Sequence, residues 1–123
     1  MAFYPDLPLL TDRLLLRPFS RGDVDAVHAY RGREDVARYL YDPPLSRQEC
    51  ELAIQRRVSQ TMLEDEGDRL VLACETLDGG VLIGELSLTW RSVEARQGEL
   101  GWIFHPDFQG QGYASEGTRA LME

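Results

Sequence analysis

The stretch that decides the fold of this chain is HPDFQGQGYASEG, residues 105–117. It follows a short apolar run, GELGWIF (98–104), and leads into YASEGTRALME (113–123). The first segment predicts a strand and the second a helix, whose inner face carries Ala114, Gly117, Ala120 and Leu121. A turn rich in glycine and glutamine between a strand and a helix is a common way to hold phosphate.

Three interpretations of this turn compete. Gly110 and Gly112 start a dinucleotide-binding pattern, but Ser115 occupies the position of its third glycine, and the preceding strands are antiparallel. A ligand-free loop would use glycines only for their positive φ angles. The third interpretation is a pyrophosphate cradle, in which successive backbone N–H groups at a helix N-terminus bind an anion without a cationic side chain.

The rest of the chain predicts helices on a mainly antiparallel sheet, an α+β or mixed α/β fold. Strands are expected at 11–19, 69–77 and 81–90, with a tight turn at 78–80 and a polar loop at 91–97. Capping boxes at Ser20 and Ser46 predict two helix starts, and 34–40 predicts a short helix between them.

The periodicity of the predicted helices indicates which side chains they bury. The face of the first helix carries Val24 and Val27, together with His28 and Arg31. The helix after Ser46 carries an apolar stripe and is expected to run for about 18 residues. The stripe consists of Cys50, Ile54, Val58 and Met62.

Composition excludes several functional classes. The 123 residues carry a formal net charge of −8, and all 13 basic residues are arginine. Without lysine there is no P-loop lysine or Schiff-base lysine, and an acidic chain is a poor nucleic-acid binder. The acidity is compatible with a cationic amine partner.

The cysteines and histidines indicate neither a disulfide nor a metal site. Cys50 and Cys74 are far apart and are expected to be reduced thiols, and His28 and His105 belong to no metal-binding motif. No apolar run reaches the length of a membrane span, and the N-terminus lacks the features of a signal peptide. We therefore expect a cytoplasmic protein with neither metal nor membrane partner.

Two segments resemble the GNAT family of N-acetyltransferases. Residues 109–114, QGQGYA, match the acetyl-CoA signature Q/R-x-x-G-x-G/A in full. TDRLLLRPF (11–19) looks like the opening strand of the ribosomal-protein N-acetyltransferase branch. The resemblance covers essentially all of the chain as a single domain, 1–123, with a GNAT-type fold.

The resemblance implies direct transfer of an acetyl group from acetyl-CoA to a primary amine, such as a protein N-terminus or a small molecule. The cofactor pyrophosphate would meet Gln109, Gly110, Gln111, Gly112, Tyr113 and Ala114. The pantetheine arm would bond to Trp102, Ile103 and Phe104 on the strand before the turn, with His105 at the strand exit.

The resemblance also suggests a general base. Glu99 matches the strand glutamate that serves as base in some members, although an exposed strand glutamate is an equal alternative. Glu85 is the reserve candidate, for which an exposed face is the simpler expectation. Tyr39 and Tyr41 are expected to pack or to border an acceptor pocket.

Relative to the family, the chain is expected to lack the C-terminal third. The missing part would include the strand that comes after the helix at 113–123, and a general-acid tyrosine. The strand at 98–104 would then have an unpaired edge, which predicts a homo-oligomer. An active N-acetyltransferase and a non-catalytic CoA-binding module or inactive fragment both remain open.

Overall fold

The computed structural model describes Phe3, residues 5–92 and residues 97–122, and leaves the side chains at 91, 92 and 97 undescribed. Within this part, five antiparallel strands form one sheet in sequence order. They are β1 (Leu9–Leu10), β2 (Leu14–Arg17), β3 (Arg69–Thr76), β4 (Leu82–Ser92) and β5 (Gln97–Phe104). The α+β fold expected from the sequence is confirmed.

Four α-helices accompany the sheet in the described part: α1 (Val24–Arg31), α2 (Glu34–Leu40), α3 (Arg47–Arg57) and α4 (Tyr113–Met122). Both capping boxes form as predicted. Ser20 N donates to Asp23 Oδ2 at 2.8 Å, and Glu49 N donates to Ser46 Oγ at 3.1 Å. The first box starts a single 3-10 turn, Arg21–Asp23, which leads into α1.

The two faces of the sheet are covered by different helices. One face packs against α4 through Leu121, and the other packs against α1 and α3 through Tyr30 and Ile54. A register shift between Cys74 and Glu75 interrupts the β3–β4 pairing. The two apolar layers hold most of the buried side chains of the described part and fix β5 and α4 against the same core.

Several predicted helix boundaries and faces were wrong. α3 ends at Arg57, so Val58 and Met62 lie outside it and are 42% and 40% exposed. The backbone of Gln60 instead accepts a hydrogen bond from Val71 N at 2.9 Å, which pulls the chain toward β3. In α1 the buried third position is Tyr30, and His28 is exposed.

The strand predictions were closer to the structure. The turn at 78–80 forms, with Gly79 and Gly80 at positive φ. β4 and β5 extend into the predicted loop, because 91, 92 and 97 are strand residues, and 93–96 lie outside the described residues. The two-residue strand β1 was not predicted, because it is too short for an alternating pattern.

Gly84 supplies a test of how closely β4 and β5 approach. A Cβ atom at Gly84 would overlap the carbonyl oxygen of Ile103 and the ring of Phe104. We expect Gly84→Ala to lower the free energy of unfolding by about 1–3 kcal/mol, as overpacking does. Gly22→Ala is the matched control, since no atom lies within 4 Å of its added Cβ. Urea denaturation of both variants measures the difference; equal stabilities would contradict the packing.

Candidate active site

An open cleft of about 500 Å³ lies where β5, the glycine-rich turn, α2 and the start of α4 meet. The turn and α4 supply one wall, β5 supplies the floor, and α2 supplies the other wall through Asp35, Val36 and Tyr39. The sequence identified the β5 and turn residues. It did not identify Asp35 or Val36, because nothing in α2 indicates which element it faces.

The turn presents backbone donors to this cleft. Gly110 and Gly112 have φ angles of 73° and 84°, which an L side chain rarely adopts. Among the described residues, no acceptor is found for the N–H groups of 110–115, and the first helical bond at the start of α4 is Glu116 N to Gly112 O at 3.0 Å. These donors carry the positive end of the helix dipole, so the turn can hold an anion.

The side chains of the two turn glutamines donate hydrogen bonds to backbone carbonyls that precede the turn. Gln109 Nε2 donates to Phe104 O at 3.1 Å, and Gln111 Nε2 donates to Asp107 O at 2.9 Å. No atom lies within 4 Å of a Cβ built on Gly110, so the space in front of that residue is open. The glutamines therefore hold the turn, while the N–H groups remain available to a ligand.

The edge of β5 supplies further free backbone groups. His105 N donates to Ile83 O at 2.9 Å. By the alternation of an antiparallel pair, Ile103 also directs its backbone groups toward β4, whereas Trp102 and Phe104 direct theirs away. Because Gln109 occupies Phe104 O, the open-edge backbone groups that remain beside the turn are those of Trp102 and the N–H of Phe104.

An ion pair anchors the start of α4 to the β1–β2 connection. Glu116 Oε1 lies 2.7 Å from Arg13 Nε, and Oε2 accepts from Arg13 N at 2.9 Å and from the hydroxyl of Thr11. Arg13 also donates to Gln111 O at 3.1 Å and stacks 4.1 Å above the ring of Tyr113. Arg13 thus joins the turn, α4 and the opening strands, which fixes the position of the turn.

This anchor gives a pH-dependent prediction. Burial raises the pKa of Glu116, but hydrogen bonds from Thr11 and Arg13 outweigh it and bring the pKa below its ordinary value of 4.5. A group with a lowered folded pKa stabilises the fold above its unfolded pKa and loses that effect as the pH falls through the folded value. The Tm difference between the natural chain and Glu116→Gln should therefore be present at pH 7 and shrink as the pH falls below the ordinary value of 4.5. A constant difference in thermal melts across that range would contradict the anchor.

Comparison with known proteins places the chain in a family. The acetyltransferase (GNAT) domain matches residues 13–123. The chain belongs to the GNAT acetyltransferase family. An uncharacterized N-acetyltransferase of Bacillus subtilis (strain 168), YnaD, is 26% identical over 115 residues, which cover 94% of this chain and 63% of the relative. The chain therefore spans less than two thirds of the length of this curated relative.

Solved structures show the same GNAT fold. A putative ribosomal-protein-serine acetyltransferase from Vibrio cholerae has a TM-score of 0.75 and 23% identity, over 97% of this chain and 66% of that one. The microcin C7 self-immunity acetyltransferase MccE, in complex with acetyl-CoA and AMP, has a TM-score of 0.72 and 12% identity, over 95% and 68%. Both agree with the GNAT-type fold expected from the sequence.

The GNAT structure brings most of the predicted site residues together. Those that line the cleft are Trp102, Ile103, Phe104, Gln109, Gly110, Gly112, Tyr113 and Ala114. Gln111 is outside the lining, and His105 caps the 3-10 turn Pro106–Phe108, where its Nδ1 accepts from Asp107 N at 3.1 Å. Tyr39 lines the cleft, whereas Tyr41 caps the C-terminus of α2 and is 96% exposed.

The two candidate glutamates occupy different environments. Glu99 is exposed on β5, in register with Thr89, and does not line the cleft. Glu85 was expected to be exposed and is buried instead, on the face of β4 that packs against α1 and α3. Since Glu99 and Ile103 are four residues apart on one strand, about 13 Å separates their positions.

Glu85 belongs to a buried polar cluster. Tyr30 Oη donates to Glu85 Oε1 at 2.8 Å, and Arg57 Nη1 lies 3.0 Å from each carboxylate oxygen. The hydrogen bond from Arg57 goes to Oε1, so Oε2 has the ion pair but no hydrogen bond with the described residues. Burial, followed by the charge of Glu85, raises the pKa of Tyr30 well above its ordinary value. Tyr30 therefore acts as a donor that holds Glu85 in place.

No group of three or more His, Cys, Asp or Glu side chains that could hold a metal ion occurs among the described residues. No helix described there has the length and apolar character needed to span a bilayer. Cys50 and Cys74 are both free and buried, and burial raises the pKa of each thiol.

Proposed function

We propose that this chain transfers the acetyl group of acetyl-CoA to a primary amine by direct transfer in a ternary complex. The observation that carries the proposal is the row of N–H groups at 110–115, which opens onto the cleft at the start of α4. Membership of the GNAT family and the acetyl-CoA named in the structure of MccE support it.

The residues present fit a CoA diphosphate. The positive φ angles of Gly110 and Gly112 and the open space at Gly110 let an anion approach the backbone, and the helix dipole favours its charge. The free backbone groups of Trp102 and Phe104 lie along the same cleft and would bond the amides of pantetheine. Ile103 would contribute its side chain rather than its backbone.

Acetyl-CoA supplies an acetyl thioester whose carbonyl carbon the amine nitrogen attacks, so that the C–N bond forms and the C–S bond breaks. CoA leaves as the thiolate, which takes up the proton that the amine has lost. The chain has to hold the amine neutral and accept one proton from it. We propose Glu99 for that role, acting over a water chain because of its distance from the cleft. Glu99→Gln should then lower kcat by about 100-fold or more and leave acetyl-CoA affinity unchanged.

A non-catalytic CoA-binding module or inactive fragment is the second candidate function. It is favoured by the position of Glu99 outside the cleft lining. Calorimetric titration with acetyl-CoA, followed by a screen of primary amines for CoA release, separates the two. Binding with turnover supports the transferase, whereas binding without turnover of any amine supports the module. Absence of binding by the folded chain would contradict both, and Gly112→Trp is the control that should block the turn.

Expectations about the domain, the location, the partners and the oligomeric state belong to the same proposal. We propose one domain over 1–123, a cytoplasmic location, no nucleic-acid, membrane or metal partner, and a homo-oligomer. In the described part β5 pairs with β4 alone, and such an open edge favours association. Light scattering across a concentration series measures the oligomeric state. A monomer at all working concentrations would contradict that part.

A further inference from the structure

A second cleft, of about 480 Å³, lies between α3, the α2–α3 connection, and strands β3 and β5. We call it the arginine cleft, because Arg31, Arg56, Arg57 and Arg69 line it. Its acidic lining residues are Asp42 and Glu49. Four arginines against two carboxylates make it locally cationic in a chain whose formal net charge is −8.

The carboxylates nearby do not fully compensate this positive charge, since the four arginines face Asp42, Glu49 and Glu85. Glu85 pairs with Arg57, and the Glu49 carboxylate accepts a hydrogen bond from the backbone N–H of Ser46 in the α3 capping box. Arg31, Arg56 and Arg69 form no ion pair with any described residue. Arg69 is exposed as a residue, but partial burial of its guanidinium and then the charge of Arg57 lower its pKa, against the opposite effect of Glu85. Arg57 and Arg69 therefore lie close enough to repel one another.

The arginine cleft adjoins the cleft assigned to acetyl-CoA. Ile103 lines both cavities, the first at the floor beside the glycine-rich turn and the second beside α3. Leu40, Leu45 and Leu52 add an apolar wall to the arginine cleft. A molecule with its anionic end among the arginines would extend along this wall toward Ile103, where the two cavities meet.

We infer that the arginine cleft binds the anionic group of the amine acceptor, so that the acceptor is a primary amine that also carries a carboxylate or a phosphate. This inference rests on the proposed acetyl transfer. Guanidinium groups bind both anions in bidentate geometry, and a cleft lined by one sign of charge concentrates its counter-ion. The overall acidity of the chain is compatible with a cationic amine partner, and the arginine cleft indicates that this amine also carries an anionic group.

Glu85 and Tyr30 have a supporting part in this arrangement. They fix Arg57 at the buried end of the cleft, where its side chain is only 9% exposed. Arg57 therefore stays in one position, while Arg56 and Arg69 are exposed and free to close on an anion. The preference for an anionic acceptor therefore depends on Arg56 and Arg69, which can be replaced without disturbing the core.

The test compares primary amines that carry an anionic group with matched amines that lack it. The pairs are β-alanine with β-alaninamide, and O-phosphoethanolamine with ethanolamine, so the two arms distinguish carboxylate from phosphate. We expect kcat/KM to favour the anionic member of at least one pair by about tenfold, the effect of one charged hydrogen bond of ~1.4 kcal/mol. R56Q/R69Q should reduce that ratio to below about threefold, whereas R38Q/R119Q, which removes the same charge from exposed positions outside both clefts, should preserve it.

A second readout does not depend on catalysis. Titration with acetate and inorganic phosphate, followed by the Nε–Hε resonances of Arg56 and Arg69, reports on the arginine cleft even if acetyl-CoA does not bind. Saturable shifts of these two resonances, larger than those of Arg38 and Arg119, support the inference. Equal shifts at all four, together with equal kcat/KM values within each pair, would overturn it. Failure of the acetyl-CoA titration alone would count against the transferase and not against the anion site.

Discussion

Glu85→Gln should lower the free energy of unfolding by about 3–5 kcal/mol, and the Tm by about 10–20 °C. The glutamine still accepts from Tyr30 but leaves Arg57 as a buried charge without its partner. Breaking a buried ion pair from one side is costly because the remaining charge cannot return to water. Urea denaturation followed by circular dichroism measures the change.

Two further variants separate the ion pair from other effects. Arg57→Met combined with Glu85→Gln removes both partners, and should recover stability to within about 2 kcal/mol of the natural chain. Glu51→Gln breaks the exposed pair with Arg47, whose side chains are 56% and 44% exposed, and should cost about 0.5 kcal/mol or less. A similar small loss for Glu85→Gln would show that the buried cluster contributes little.

Gly110→Ala should weaken acetyl-CoA binding at least about tenfold. The added methyl group meets no protein atom within 4 Å, so it enters the open space in front of the turn. There it separates the backbone donors from an anion, and each lost charged hydrogen bond is worth about 1.5–3 kcal/mol. Calorimetric titration gives the Kd.

Gly67→Ala is the matched control for this experiment. Gly67 has a φ of 87° against 73° for Gly110, and its added Cβ also meets no atom within 4 Å. Both variants therefore carry the same backbone strain of about 1–2 kcal/mol, but Gly67 lies near the far end of β4, beside Trp90. Gly67→Ala should retain the natural Kd within about twofold. Equal weakening by both variants would assign the effect to strain rather than to the turn.

Local patterns predicted the elements that local chemistry determines. The capping boxes at Ser20 and Ser46, the glycine turn at 78–80 and the order of strands and helices all follow from neighbouring residues. The end of α3 does not follow from neighbouring residues, because a hydrogen bond from Val71 in a later strand draws Gln60 away from the helix.

The same distinction applies to the site. The turn residues and β5 were predicted as one unit because they are contiguous in the sequence. The burial of Glu85 depends on Tyr30 and Arg57, which lie 55 and 28 residues away, so a lone strand glutamate gave no sign of it. The arginine cleft likewise gathers its arginines from three separate elements, α1, α3 and β3, and its charge is opposite to that of the whole chain.

The central claim is that backbone N–H groups at the start of α4 hold the diphosphate of acetyl-CoA. The most direct test is a titration of the ¹⁵N-labelled chain with acetyl-CoA, followed by its backbone amide resonances. We predict saturable shifts concentrated at 110–115, together with the amides of Trp102 and Phe104, and much smaller shifts in α1 and α3. Saturable binding that leaves 110–115 unshifted would contradict the account.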